Sequence, residues 1–512
     1  MIAALQTPEI VWSAVAPQLI LMAGGLLLLT LVSVLKDRLP RHTYVAYTVA
    51  VAVASFIATI PLWGRVGNPR EGIASVMGGA VGLDRFGLFV IGVLCIGLAL
   101  SALIADGYLL REGLDGPEMY VLMMLSASGG ATMATANDLI VLFVGFEILS
   151  VSVYVLAAMH ARRLSSQEAG FKYFVLGAFS SAFLLYGIAL TYGATGSTNL
   201  VAIQEFLATH VLTQTGLLLG GMVLMLVGFG FKVAAVPFHM WAPAVYQGAP
   251  TPVTGFMASV VKASAFAGLL RIFVVALSAY QVQWRPLLFA LAVASLVGGA
   301  VLAVVQRNIK RILAYSSINH AGFILLGVHA ATQRGTSASL FYLLAYTFMV
   351  IGSFGIVAIV GRTGDGHHSL DDYSGLSRRR PAVAFAFTVL LLAQAGVPFT
   401  AGFLAKFYVL AAAAEAGSYV LAVVAMLSTV ISAFIYLRIV VAMYFEGAPD
   451  DDAAGVGGVA AADARTAVTR VPWATTLALT LAVGCTLLLG VFPGPFAHLA
   501  DTAVAGFRAL GR

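Results

Sequence analysis

Long apolar segments alternate with short polar stretches along almost the entire chain. A helix of about 20 apolar residues crosses a hydrocarbon core about 30 Å thick. Dividing the sequence at its polar clusters and at its clusters of glycine and proline predicts fourteen membrane-spanning helices, with approximate bounds 14–35, 43–63, 83–105, 117–136, 138–159, 167–194, 213–241, 252–277, 286–305, 309–328, 337–360, 382–412, 418–444 and 471–496. The pattern therefore predicts an all-α integral membrane protein.

Composition and charge agree with that prediction. Apolar residues make up 60% of the chain and charged residues 10%, against roughly 45–50% and about 25% in soluble globular proteins. The net charge of +6 does not indicate a nucleic-acid partner, because the arginines lie in short loops and not in a basic patch with interleaved aromatics. Lysine and arginine concentrate in the odd-numbered loops, which the positive-inside rule places in the cytoplasm, with both termini outside. No basic region and cleavage site precede residues 17–35, so we expect a retained helix there.

Cysteines and polar loops do not indicate a metal or cluster site. Cys95 and Cys485 lie far apart in apolar runs, without the spacing of iron–sulfur or zinc ligands. The loop 361–381 carries neighbouring histidines and aspartates of a kind more typical of a solvated loop than of a metal site, namely His367, His368, Asp371 and Asp372. Residues 450–470 are rich in glycine and alanine and predict a flexible connection.

Lysine and arginine are distributed differently. The chain has six lysines, and four of them lie within apolar segments, whereas nearly all arginines lie in loops or tails. A charged lysine at the bilayer centre costs about 2.5–3.5 kcal/mol unless it faces protein or water. A buried lysine can relieve that cost by releasing its proton, which arginine cannot do in practice. The four lysines are therefore candidates for proton exchange: Lys172, Lys232, Lys262 and Lys406.

A structural role competes with this hypothesis at each position. Lys172 lies five residues into its span and is long enough to reach the interface, so both readings stay open. Arg271 and Arg438 lie within two turns of span ends, which favours a structural role. The remaining three lysines lie deeper or flank a proline-containing break, which favours function.

Two further side chains are unusual for membrane interiors. Glu147, in VLFVGFEILSVSVYVL, is the only acidic residue near the centre of a span and calls for a cationic partner, although a hydrogen bond between helices is the alternative. His320, in AYSSINHAGFILLGV, suits a proton relay, although a hydrogen-bonded core histidine is nearly as compatible. His239 and His329 lie closer to span ends; of these, His239 is a second-line relay candidate together with Lys172.

The tripeptide VPF occurs twice inside apolar runs, around Pro237 and Pro398. Proline removes a backbone donor and opens a helix, which a membrane protein tolerates where the break lines a cavity or packs inside protein. The two copies fall in spans seven and twelve, five helices apart, as in an inverted repeat with broken helices at an ion site. We therefore predict five-helix units at 117–280 and 281–445, three added helices at 1–116, and a flexible loop and last helix at 446–512.

Four stretches carry a family resemblance: GFGFKVAAVPFHMWAPAVYQGAPTPVTGFMASVVKASAFAGLLR, LAYSSINHAGF, DDYSGLSRRRP and AGFLAKFYVL. They resemble the antiporter-like proton-translocating subunits of respiratory complex I, most closely those of the subunit N type of NADH-quinone oxidoreductase. The resemblance runs from about residue 117 to 445 and implies fourteen helices, two inverted five-helix units, and broken helices 7 and 12.

The resemblance also implies roles for individual residues. Glu147 corresponds to the acid on helix five, Lys232 and Lys262 to the lysines on helices seven and eight, and His320 to the histidine on the connecting helix. Lys406 corresponds to the helix-twelve lysine, where resemblance to subunit M would lead one to expect glutamate. In the implied mechanism Glu147 pairs with Lys232, and weakening this pair sends a proton through Lys262 and His320 to Lys406 and the outer side.

Redox chemistry is expected elsewhere, because the chain has no dinucleotide, flavin or cluster motif. The resemblance implies no cofactor on this chain, and NADH, FMN, iron–sulfur clusters and quinone in partner subunits. Expected partners are the other complex I membrane subunits, through them the peripheral redox arm, and the lipid bilayer of a bacterial inner membrane. The alternatives are a cation/proton antiporter or membrane hydrogenase subunit of the same helical family, and a structural scaffold with inactive channels.

Overall fold

The computed structural model describes residues 10–35, 40–66, 74–114, 116–212, 215–361, 363–446 and 471–507. The connection predicted at 450–470 lies outside these residues. The described chain is almost entirely helical, and its one sheet is a hairpin of two short strands.

The first half of the chain contains the hairpin and the helices up to the first proline break. Their bounds are α1 Ala16–Leu35, α2 His42–Arg65, β1 Ala74–Val76, β2 Val81–Leu83, α3 Arg85–Glu112, α4 Glu118–Thr135, α5 Leu139–Ala158, α6 Leu164–Thr195, α7 Leu200–Thr209, α8 Gly216–Val233 and α9 Trp241–Gly248. Several helices begin at a side-chain cap: Asp84 accepts from the backbone N–H of Gly87, and Asp138 accepts from that of Ile140.

The second half begins with α10 Thr251–Phe256 and α11 Lys262–Leu270, which a π-helical turn at Met257–Val261 joins into one apolar helix, Thr251–Ala276. The remaining helices are α12 Gln281–Val304, α13 Ile309–His329, α14 Gln333–Val360, α15 Leu376–Arg379, α16 Pro381–Ala395, α17 Ala401–Glu415, α18 Tyr419–Phe445, α19 Trp473–Val491 and α20 Gly494–Val504.

Twelve helices of the described residues are long and apolar enough to cross a membrane. They correspond to every predicted span except the fourth and the twelfth. The helix α4 is less apolar, with serine, glycine and threonine in its second half, and the twelfth span is divided into α16 and α17 of 15 residues each. The predicted multi-pass helical fold is confirmed, while the count of fourteen stays a prediction.

Both VPF segments lie where the structure interrupts a helix. At the first, α8 ends at Val233 and α9 begins at Trp241, with Ala234 in the left-handed region at φ 58°. At the second, α16 ends at Ala395 and α17 begins at Ala401. Here Gly396 has φ 93°, a conformation that glycine adopts without steric cost.

Packing is similar in the two predicted five-helix units. The helix α4 packs along α5, as α12 packs along α13 in the second unit. Likewise α6 packs against α8 and α9, and α14 packs against α16 and α17. The domain boundaries themselves stay a prediction.

The core of the molecule is formed by α3, the helix Thr251–Ala276, α13 and α14, which other helices surround on nearly all sides. The helices α1, α2, α6 and α18 instead expose large leucine, valine and phenylalanine side chains along one face. Such faces suit contact with lipid acyl chains. The predicted site lysines therefore lie on or beside the enclosed helices, with the exception of Lys172 on α6.

Candidate functional site

Lys232 lies in the last turn of α8, just before the first break, and only 2% of its surface is exposed. Its Nζ donates to Ser150 Oγ on α5 at 2.6 Å. Three aromatic rings surround the ammonium, with Nζ at 4.8 Å from the ring centroid of Phe146 and 5.3 Å from those of Tyr154 and Tyr173. The lysine is thus held by one hydroxyl and three ring faces.

Glu147 lies on α5, one turn before Ser150, and is close enough to act electrostatically on Lys232. The structure does not bring the two charges into contact, since the ion pairs within 4.0 Å among the described residues do not include this one. Glu147 Oε1 is buried and has no hydrogen-bond partner. The sequence pointed to Glu147 as the partner of Lys232, but in the structure Ser150 makes that contact.

Lys262 opens α11 immediately after the π-helical turn and is completely enclosed. Its Nζ donates to two oxygens of Ser317 on α13, the backbone carbonyl at 2.6 Å and Oγ at 2.5 Å. The ring of Tyr346 lies 5.8 Å from Nζ. π-helical turns often occur at functional sites, and this one sets the position at which α11 presents Lys262 to α13.

His320 lies one turn beyond Ser317 on α13 and is fully buried. Its two ring nitrogens contact tyrosine hydroxyls from different helices: Nδ1 is 2.6 Å from Tyr342, and Nε2 is 3.3 Å from Tyr436. The Tyr436 hydroxyl is in turn 2.6 Å from Ser316 Oγ. His320 is therefore held from both sides by groups that can donate or accept a proton.

Lys406 lies on α17, beyond the second break. Its Nζ donates at 2.9 Å to the backbone carbonyl of Ala395, the last residue of α16. Carbonyls at a helix C-terminus have no partner within the helix, so the break itself supplies the acceptor. The ring of Phe323, one turn along α13 from His320, lies 5.0 Å from Nζ.

The three buried lysines share one electrostatic feature. Each donates to a neutral oxygen, and within the described part of the chain none has a carboxylate oxygen within 4.0 Å. A buried charge without a counter-charge is costly to keep. Side chains held in this way are suited to taking up and releasing protons.

The two second-line candidates lie apart from this set. Lys172 is largely exposed on α6 and forms an ion pair with Glu168 one turn away. His239 lies half-buried in the turn between α8 and α9, and its Nδ1 has no hydrogen-bond partner. Among the described residues, neither side chain forms a hydrogen bond or an ion pair with a buried lysine.

The two arginines assigned structural roles make structural contacts. Arg271 is completely buried, its Nη2 lies 2.8 Å from both carboxylate oxygens of Asp84, and its Nε donates to the carbonyl of Ala134. Arg438 donates to the carbonyls of Val304 and Gln306 at the end of α12. Both arginines connect the ends of helices, and neither is part of the group of buried lysines.

A second buried charge cluster was missed by the sequence reading. Asp365, in the loop after α14, accepts from Lys310 at 3.1 Å, Arg163 at 3.0 Å and Thr251 at 2.7 Å, and its Oδ1 is 3.0 Å from His368 Nε2. Burial alone would raise the pKa of the Asp365 carboxyl, but Lys310, and to a lesser extent His368, outweigh burial and hold that pKa well below its usual range.

The cluster continues at the neighbouring residue of the loop. The backbone N–H of Gly364 donates to Glu112 at 2.7 Å, and His160 Nε2 lies 3.4 Å from the same carboxylate. Together these contacts join the loop after α14 to the ends of α3, α5, α6 and α13. Among the described residues, no three histidine, cysteine, aspartate or glutamate side chains are grouped so as to hold a metal ion.

Comparison with known proteins places the chain in a family. A family model described as NADH:quinone oxidoreductase/Mrp antiporter, TM, matches residues 136–432. NADH-quinone oxidoreductase subunit N of Trichlorobacter lovleyi is 40% identical over 492 residues, which cover 96% of this chain and 96% of that protein.

Solved structures extend the likeness to the fold. A chain of respiratory complex I from Thermus thermophilus matches with a TM-score of 0.74 and 32% identity, over 95% of this chain and 99% of that one. A chain of the Mrp complex from a Dietzia species has a TM-score of 0.81 over 98% and 99% of the two chains, but at 21% identity it shows a shared fold only. The chain therefore belongs to the membrane-subunit family of NADH:quinone oxidoreductases and Mrp antiporters, and within it to the subunit N type of NADH-quinone oxidoreductase.

Proposed function

We propose that this chain is a proton-translocating membrane subunit of a bacterial NADH-quinone oxidoreductase. The observation that carries the proposal is the set of buried lysines that donate only to neutral oxygens: Lys232, Lys262 and Lys406. They occur in the interior of a family member whose relatives bear that enzyme's name. A chain that only held other subunits together would have no need for uncompensated charges at these positions.

The proposed relay runs from α5 to α17. Glu147 holds a proton on Lys232 when the two charges meet, with an attraction of about 4 kcal/mol at about 4 Å and an effective dielectric near 20. When that pair is weakened, a proton moves to Lys262, which contacts α13 through Ser317. His320 lies one turn further along α13 and receives the proton next.

Lys406 is the last lysine of the relay. Its ammonium lies at the end of α16 and beside Phe323, one turn from His320. From Lys406 the proton leaves to the outer side of the membrane. Lys172 and His239 have no step in this scheme, because neither forms a hydrogen bond or an ion pair with the three buried lysines in the part of the chain that the structure describes.

The energy source lies in partner subunits. The chain carries no cofactor in this proposal, and NADH, FMN, iron–sulfur clusters and quinone are bound by the other subunits of the complex. Its partners are the remaining membrane subunits and, through them, the peripheral redox arm. The chain lies in the inner membrane with its odd-numbered loops in the cytoplasm and both termini outside, as the distribution of arginines favours.

Affinity purification of the tagged chain from its native membrane in mild detergent tests the proposed assembly. We expect NADH-quinone reductase activity in the eluate, and proton uptake by vesicles that contain the same complex. Isolation alone, or with other antiporter subunits and without the reductase activity, would contradict the proposal and favour secondary cation/proton exchange.

A second experiment tests the relay within the assembled complex. We expect Lys232→Ala to reduce proton uptake in vesicles on the order of 10²-fold, as for loss of a group that transfers protons. Unchanged proton uptake at wild-type amounts of assembled complex would show that the relay is wrong.

A further inference from the structure

We propose that Ser150 and the rings of Phe146, Tyr154 and Tyr173 form a second binding position for the protonated Lys232, separate from Glu147. These four residues, the Ser150 position, are positioning residues for the proton transfer. The inference rests on the proposed function, since it assigns them a part in the same relay.

The first support is the direction of the serine hydroxyl. Ser150 Oγ donates to the backbone carbonyl of Phe146 at 2.5 Å, one turn earlier on α5. Because a serine hydroxyl has a single hydrogen, the oxygen is left to accept from Lys232 Nζ at 2.6 Å. The local structure of α5 thus prepares an acceptor for an ammonium group.

The second support is the arrangement of the rings. Lys232 Nζ lies 4.8–5.3 Å from three aromatic centroids, contributed by two different helices. The face of an aromatic ring attracts a cation, and the attraction is strongest where water is excluded. Three such faces around one buried nitrogen favour the charged form of lysine without a carboxylate in contact.

The third support is the way in which the rings are fixed. Tyr173 stacks on Trp241 with centroids 4.5 Å apart, and Trp241 Nε1 donates to the carbonyl of Phe231 beside Lys232. Trp241 opens α9, so the ring of Tyr173 is held by the helix that follows the first break. A Cβ at Gly177 would lie 2.1 Å from the Tyr154 hydroxyl, so α6 leaves room for that ring only with glycine there.

The fourth support is a carboxylate oxygen left without a partner near Lys232. Glu147 Oε1 is buried and makes no hydrogen bond. An unpartnered carboxylate oxygen next to a lysine that contacts a serine is the arrangement expected when the lysine has moved from one acceptor to the other.

The proposed consequence concerns the order of steps. With two positions available, Lys232 separates from Glu147 while it still carries its proton, and it transfers the proton only afterwards. Among the described residues, the ionisable groups around Lys232 are Glu147 and Tyr154 on α5 and Tyr173 on α6. The helix α11 also packs on α8, and it carries Lys262. The rings then set how readily Lys232 gives up its proton.

The test compares Tyr173→Leu with Tyr173→Phe in the complete complex, reconstituted in vesicles. We expect the leucine variant, which loses the ring face, to shift the alkaline limb of the proton-uptake pH profile about one unit lower, a tenfold change in proton binding. The phenylalanine variant keeps the ring and is expected to restore the wild-type limb. Phe229→Leu is the packing control, because Phe229 contacts Phe146 but is not among the rings around Lys232.

Ser150→Ala is an independent test of the second position, since it removes one hydroxyl and leaves the rings in place. We expect a shift in the same direction, and this variant decides the test if Tyr173→Leu does not assemble. Wild-type pH profiles in the assembled variants, or an equal loss of uptake at every pH, would overturn the proposal. Lys232→Ala, measured in parallel, separates the proposed relay from the proposed second position. Normal proton uptake in Lys232→Ala would show that the relay is wrong. Lost uptake in Lys232→Ala, together with unshifted pH profiles in the Ser150 and Tyr173 variants, would show that only the second position is wrong.

Discussion

Lys262 and Lys310 are both buried lysines, the first hydrogen-bonded to α13 and the second part of it, yet they are surrounded differently. Lys310 Nζ lies 3.1 Å from the Asp365 carboxylate and also donates to the carbonyl of Ala249 at 2.7 Å. Lys262 Nζ donates only to the two neutral oxygens of Ser317. One buried cation has a counter-charge, and the other does not.

The difference separates two uses of buried charge. A buried ion pair with additional hydrogen bonds holds its geometry, and removing one partner is costly because it leaves the other charge uncompensated. A buried lysine without a counter-charge lowers its desolvation cost when it releases its proton, so small changes in its surroundings can change its protonation state. We infer that Lys310 joins the loop after α14 to the helix ends, while Lys262 exchanges protons.

The largest expected effect is on proton transfer at Lys262. We expect Lys262→Ala to lower proton uptake in vesicles on the order of 10²-fold, because it removes the side chain that exchanges protons at this step of the proposed relay. Assembly, measured as the amount of intact complex, is expected to stay near wild type. Uptake that falls only in proportion to the amount of complex would assign Lys262 to structure and erase the contrast with Lys310.

Asp365→Asn is expected to have the opposite signature, a loss of stability rather than of turnover. It leaves the Lys310 and Arg163 charges without their partner, at a cost of about 3–5 kcal/mol. Thermal unfolding of the purified complex and its yield per membrane measure this cost.

Removing both charges sharpens the same prediction. Asp365→Leu combined with Lys310→Met replaces the pair by apolar side chains, and such replacements are often neutral. We expect the double variant to recover at least half of the stability lost in Asp365→Asn, since Arg163 is partly exposed and can reach water. A double variant as unstable as the single one would contradict an ion-pair role.

The pH dependence of stability provides a smaller effect. The pKa of Asp365 lies below its usual range in the folded chain, because Lys310 outweighs the opposing effect of burial. A lowered folded pKa means that the ion pairs contribute fully above the unfolded value of about 3.9 and are lost as pH falls toward the folded value. The contribution of the Asp365 ion pairs to the stability difference between wild type and Asp365→Asn should therefore shrink as the pH falls below about 3.9. Thermal unfolding measured from neutral pH into acid checks this.

The smallest effect is expected at Lys172. Its ion pair with Glu168 is exposed on both sides, and such pairs contribute about 0–1 kcal/mol. Lys172→Gln should leave proton uptake and thermal stability close to wild type. A loss of uptake comparable to that of Lys262→Ala would instead bring α6 into the relay.

Sequence alone could identify the buried lysines of the proposed relay, because each interrupts a long apolar run. Lys232, Lys262, Lys406 and His320 stand out against their neighbours, and a charge in such a run has few structural explanations. The breaks at the two VPF segments could be predicted for the same reason. Short elements such as α7, α9 and the hairpin could not, since they are too brief to leave a periodic pattern.

The cluster of ion pairs around Asp365 could not be predicted from local sequence patterns. Lys310 is the second residue of α13 and lies at the edge of the predicted span 309–328, beside an arginine-containing loop, and its partner Asp365 is 55 positions away. Ser150 was missed for a related reason: serine is unremarkable in a membrane helix, and only the rotation of α5 against α8 shows that it, and not Glu147, meets Lys232.

The second helix break also has a consequence for biosynthesis. The halves α16 and α17 have 15 residues each, about 22 Å of helix, which is too short to cross the hydrocarbon core alone. Neither half can therefore be released into lipid as an independent segment during insertion. The helix α14 is synthesised before both halves and packs against each of them, so it offers them a common surface on which to assemble before the carbonyl of Ala395 meets Lys406.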